Sequence, residues 1–198
     1  MNLDRRTFNA TAIVVASLAM AGAPSANAQD AHDPAAAIAA QRDAMTALRS
    51  MDGAWRGPAW VLMPNGDRRE FVQTERIGPF LDGSVKVIEG RGHGDDGRLT
   101  FNALGIVAYD PAARTYSFHS YAQGRQGDFA FRPTADGYAW DIPAGPATIR
   151  YTAVIRDGTF REIGERVVPG QPPLRIFEMN LKRVGDTDWP LAGAIGPR

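Results

Sequence analysis

Two acidic side chains, Glu75 and Glu89, are the residues whose spacing best suits them for chemistry. Alternation sets Glu75 with Phe71, Gln73 and Ile77 on one face of an extended run. The same rule sets Glu89 with Val85 and Val87 on the presumed inward face of the next run. A carboxyl turned toward an apolar face is costly unless it is paired, so it shifts its proton affinity or finds a cation. Two such groups could orient the polar head of a ligand, with Gln73 as a further contact, or do acid–base work. The structural alternatives are acids at opposite barrel mouths, or acids neutralised by an inward arginine. Glu165 and Glu178 pose the same question.

His119 is the candidate metal or haem ligand. It lies in Tyr116-Ser117-Phe118-His119-Ser120-Tyr121, beside aromatics that would sandwich a flat cofactor. Alternation sets it opposite Tyr116 and Phe118, however, so an ordinary hydrogen-bonded surface histidine is the stronger reading. His93 with Asp95 and Asp96 offers oxygen and nitrogen donors in a Gly-rich turn, but without the spacing of a known cation loop. No metal is therefore expected, and haem at His119 is kept only as the weaker alternative. Trp60, Phe71, Tyr109, Phe118, Trp140 and Tyr151 would line an apolar cavity or fill a core.

The elements that must position these residues are almost all β. Turn residues punctuate the chain at Pro64-Asn65-Gly66-Asp67, Leu81-Asp82-Gly83, Gly94-Asp95-Asp96-Gly97 and Asp110-Pro111-Ala112. They recur at Gly124-Arg125-Gln126-Gly127, Ala135-Asp136-Gly137, Ala144-Gly145-Pro146, Asp157-Gly158 and Pro169-Gly170. Between them lie about ten runs of strand length, the spacing of an antiparallel meander. Ile149, Tyr151, Ala153 and Ile155 share a face, as do Phe177, Met179 and Leu181; the parity of Leu99 to Tyr109 is open. One apolar and one mixed face per strand predicts an all-β fold, a single meander barrel closed on itself. A barrel of that size is wide enough to hold a pocket. One helix is expected before it, capped by Asp33-Pro34, running from Ala35 to Met51 with Ile38, Met45 and Leu48 on one face and stopped at Gly53.

The first 28 residues read as an export leader. Arg5 and Arg6 precede the uncharged apolar run from Asn9 to Ala23, and Ala26-Asn27-Ala28 offers a cleavage site before Gln29. Arg5-Arg6-Thr7-Phe8 resembles a twin-arginine signal, which implies a periplasmic or secreted location. The expected organisation is leader 1–28, N-terminal segment and helix 29–52, barrel 53–184 and tail 185–198. Losing the leader leaves a net charge near −1, with no footprint for nucleic acid and no membrane-inserting run. Cysteine is absent, which excludes disulfides, thiolate metal sites and a cysteine nucleophile. No phosphate loop, nucleophile elbow or dinucleotide fingerprint appears, and no triad suggests itself.

Gly53-Ala54-Trp55, placed between a helix and the first strand, resembles the opening of a calycin barrel such as a lipocalin. The strand count looks more like the fatty-acid-binding and nitrobindin branches. The chain is also similar to exported bacterial calycin-like domains of unknown function through Glu75-x-Ile77-x-Pro79-x-Leu81-Asp82-Gly83, Gly105-x-x-x-Tyr109-Asp110, Glu165 and Phe177-Glu178-Met179. The resemblance implies that Trp55, with Gly53, closes one end of the barrel, and that a late arginine packs over its ring, Arg183 being the best match and Arg175 the second. It also implies that nitrobindin-type relatives hold haem through one histidine, although their supporting motif is not visible here. The resulting expectation is a binder of a small hydrophobic molecule rather than an enzyme. The alternatives are an isomerase or small-lipid hydrolase using the inward acids, and a haem-binding barrel.

Overall fold

The computed structural model describes residues 33–189 and 195–196; the leader and the cleavage site read from the sequence lie outside them. Asp33 caps helix α1, Pro34–Met45, by accepting the Ala35 N–H at 2.9 Å, with Pro34 at the first position, where it forfeits no bond. The helix does not continue to Met51 as one α-helix. It tightens into a 3₁₀ segment, Thr46–Met51. Three residues per turn then bring Met45, Leu48 and Met51 onto one buried row, while Ile38 stands exposed.

Ten strands follow: β1 Gly53–Leu62, β2 Arg68–Phe80, β3 Val85–His93, β4 Leu99–Asp110, β5 Thr115–Ala122, β6 Arg125–Thr134, β7 Gly137–Ala144, β8 Ala147–Arg156, β9 Thr159–Val167 and β10 Leu174–Gly185. Each pairs antiparallel with its neighbour in sequence, and β1 pairs with β10 to close the barrel. The fold is therefore an all-β meander barrel with an N-terminal helix, and closure leaves no free edge to cap. Every connection between strands falls at a turn signal in the sequence. At Asp110, for example, the carboxylate accepts from the Ala112 and Ala113 N–H groups and fixes the reversal.

Helix and 3₁₀ segment cover the end of the barrel where β1 begins. Gln41 donates to the Tyr109 carbonyl, Tyr116 donates its hydroxyl to Ala44 O, and Arg42 pairs with Asp82 in the β2–β3 turn. Beneath them Met51, Ile77 and Val107 are wholly buried, and Leu48, Phe160 and Leu181 nearly so. Lys86 is also sealed here, its ammonium engaged by Asp52. In the tail, Trp189 packs edge-on against Phe80, under the Arg76 guanidinium. Among the described residues no helix is long and apolar enough to cross a membrane.

Candidate functional site

Directly opposed residues in an antiparallel ladder share a face, so the register decides which side chains enter the barrel. Phe71, Gln73, Glu75 and Ile77 of β2 point inward, as the alternation predicts. Their β3 partners are Gly92, Gly90 and Ile88, which fixes positions 86, 88, 90 and 92 as the inner set. Glu89 therefore faces out, and the parity assigned to it from Val85 and Val87 is corrected. It lies opposite Arg76 and is hydrogen-bonded by Arg91. The reason is that β3 is apolar on both faces and carries its buried cation, Lys86, inside.

Trp60 also moves outside, since Ala59 and Val61 take the inner positions of β1 and its own ring is covered by Arg68 at 4.0 Å. His119 pairs with Ile106 and Asp128 on the outer face, where its Nδ1 meets the Asp128 carboxylate. His93 lies opposite Val72, which is outside, and sits near the Gly97 carbonyl at 3.4 Å. Among the described residues no histidine enters the barrel, so the interior does not fit a histidine-ligated haem. Among the described residues no group of three or more acidic, histidine or cysteine side chains is placed to hold a metal ion either. Glu165 and Glu178 stand on the outer face as well. Glu178 is gripped by Arg161 at 2.8 Å and Arg175 at 3.2 Å; these bonds outweigh its partial burial and hold its carboxyl below the usual range.

Register brings in one acid that alternation did not single out. Glu162 opposes Ala153 and Met179, both buried, and is itself only 7% exposed. The Tyr138 hydroxyl donates to its Oε2 at 2.5 Å. Burial pushes Glu162 up to about 7, against the Tyr138 and Trp140 hydrogen bonds that favour its charge. Burial likewise pushes Glu75 up to about 8. The Gln73 amide, donating at 2.6 Å, opposes that rise, while the negative charges of Glu162 and Glu89 add to it. Glu75 thus feels the charge of Glu162 inside the barrel and of Glu89 through the sheet. Gly90 makes the seat for Glu75: a β-carbon there would lie 2.9 Å from Oε1.

Aromatic rings surround this pair. Trp140 and Tyr151 stack face to face at 4.4 Å and 9°, and Phe118 and Phe129 lean on Trp140 at 4.9 and 5.4 Å. Tyr138 stacks on Phe131 and meets Phe160 edge-on. Tyr109 lies instead against Tyr116 near the helix-covered end. At that end Trp55 is 3% exposed, donates its indole N–H to Met51 O at 2.9 Å and carries Arg183 5.9 Å from its ring centroid. The Gly53 φ of 141° is one that only glycine adopts easily, and a β-carbon there would meet the Arg183 guanidinium at 3.0 Å.

Toward the opposite end the inner face changes character. Phe71, Phe101, Phe129, Ile142, Ile149 and Phe177 all point inward yet are only half-buried. The inside thus changes along the barrel axis. Its floor is packed hydrocarbon under the helix, its middle holds Gln73, Glu75, Tyr138 and Glu162, and its upper wall is aromatic and partly open.

No family model and no curated protein matches the chain. Among solved structures it is similar to the crystal structure of Rv2717c from M. tuberculosis, at 14% identity and a TM-score of 0.53. The likeness covers 71% of this chain and 96% of that one, and at such low identity it shows the barrel fold alone.

Proposed function

We propose that the protein is an exported, calycin-like barrel that binds a small, largely apolar molecule in its interior. The observation that carries this reading is the inward-facing but half-buried aromatic wall above the Glu75–Glu162 level. Side chains that face a barrel axis, pack on the core and still meet solvent mark an open mouth through which a ligand can enter. Apolar walls with a few convergent polar groups are the usual make-up of a ligand pocket, the walls supplying burial and the polar groups orientation. Export is read from Arg5-Arg6 and the apolar run that follows, and the calycin assignment from Gly53-x-Trp55 at the covered end.

Native mass spectrometry of the purified protein, before and after extraction with organic solvent, tests the reading. A bound species lost on extraction is expected. A single ligand-free mass from several expression scales would overturn it.

A further inference from the structure

The polar groups inside the barrel are matched to one another with one exception, Tyr138 and Trp140 bonding Glu162 and Gln73 bonding Glu75. Glu75 and Glu162 offer carboxylate oxygens, and the Tyr138 proton is already committed to Glu162. The Gln73 amide N–H is committed to Glu75, which leaves Gln73 Oε1 buried without any hydrogen-bond partner, on a side chain 3% exposed. A buried acceptor left unmatched costs free energy on the order of 1–3 kcal/mol, so its persistence at the centre of a lumen points to a donor supplied from outside. Charge tells the same story. Among the described residues the one buried cation is Lys86, and Asp52 at the covered end holds it. Two buried acids without a cation between them form a site for positive charge.

The walls agree with this. The stacked Trp140–Tyr151 pair and Tyr138 present electron-rich rings at the level of Glu162, whose charge is felt by both tyrosines. Such rings attract ammonium groups through their quadrupoles and bury flat apolar bodies equally well.

Resting on the interior-binding reading, we infer that the ligand is a protonated amine carried on a flat apolar body. Its N–H groups donate to Glu75, Glu162 and Gln73 Oε1, and its body lies along Trp140 and Tyr151. An ammonium ion between the two acids stabilises their ionised forms, so both lose protons when it enters. The titratable groups beside the pair are Tyr138 and Tyr151; Arg69 and Arg166 share the inner face at the exposed rim, opposite Val61 and Ile149, Lys86 is held away by Asp52, and Glu89 acts through the sheet from the outer face. The other ladder partners, Trp55, Gly90, Ala153 and Met179, bring no charge. Affinity for an amine therefore rises as pH climbs through the range from about 7 to about 8, while a neutral hydrogen-bond acceptor would weaken over the same range.

Isothermal titration calorimetry with phenethylamine, phenethyl alcohol and hydrocinnamate decides the matter. The three share a ring and differ in the charge of the head group. The amine is expected to bind at least roughly tenfold more tightly than the alcohol, with hydrocinnamate weakest. Its binding heat should vary with the ionisation enthalpy of the buffer because protons are released. Glu75→Gln and Glu162→Gln, checked for unchanged secondary structure, should each erase the preference. Equal or tighter binding of the alcohol or the acid overturns the amine inference and leaves interior binding standing, as does an amine preference that survives both substitutions. Failure of all three probes at millimolar concentration overturns this inference, and a ligand-free native mass in addition removes the interior reading itself.

Discussion

The Tyr138 hydroxyl donates a 2.5 Å hydrogen bond to Glu162 Oε2, with both side chains buried in the barrel. Burial and the neighbouring negative charge of Glu162 raise Tyr138 well above the usual phenol range, so it keeps its proton and acts only as a donor. The bond therefore supports the ionised form of Glu162 against burial, which pulls toward the neutral acid. Glu75 has a similar helper in the Gln73 amide. Each acid is held near its titration point by opposing forces.

Stability should fall as the medium becomes alkaline. Both acids have folded-state values raised above the ordinary 4.5, to about 7 for Glu162 and about 8 for Glu75. The folded protein binds more protons than the unfolded chain between those limits, so its stability is greatest below the ordinary value and declines as pH rises through about 8. Linkage puts the full decline for the two acids together on the order of 8 kcal/mol. Urea denaturation across this range should show it, and the double substitution Glu75→Gln, Glu162→Gln should flatten the profile. A profile that rises toward pH 8 would mean the acids are ionised in the folded state.

Trp55→Ala should destabilise the fold by about 3–5 kcal/mol, the usual cost of removing a large buried aromatic. The ring meets Phe160 edge-on at 5.6 Å and its N–H anchors the last turn before β1, so both the core and the helix cover are loosened. Arg183 should matter less, because its side chain is more than a third exposed and its partner Asp186 almost fully so. Thermal melts of Trp55→Ala and Arg183→Ala, compared side by side, check the ranking.

The barrel was legible because two local signals agree along the chain. Turn residues sit at each reversal, and the face Phe71-Gln73-Glu75-Ile77 alternates cleanly beside them. What escaped was parity wherever a strand lacks that contrast. On β3 the apolar Val85 and Val87 suggest an inner face, but the inner face belongs to Lys86, Ile88 and two glycines. Lys86 is tolerated there because Asp52, 34 positions earlier, reaches it, and no local pattern encodes that contact. Trp60 looks like core until Arg68 covers its outer face. Glu162 sits between Arg161 and Ile163, so its side is fixed only by pairing with Ala153 and Met179. Half of the acidic pair was therefore visible in the sequence and half was set by register.

Two glycines should separate the seat of the site from the frame of the barrel. At Gly90 the atoms nearest an added β-carbon are the tips of Glu75 and Gln73, the closest at 2.9 Å, and flexible tips can swing aside. At Gly57 it would lie 2.1 Å from the Asn180 carbonyl oxygen and 2.9 Å from the Leu181 α-carbon, which are strand backbone and cannot. Gly57→Ala must therefore push β1 away from β10, at the seam where the barrel closes, and should cost several kcal/mol. Gly90→Ala should leave the melting temperature close to that of the parent while displacing Glu75 from beside Gln73. Carboxylate titrations followed by NMR would then report a changed pKa for Glu75 in a folded protein. Comparable loss of stability in both variants would mean that the Glu75 carboxyl is locked in place by the barrel rather than resting on an open glycine seat.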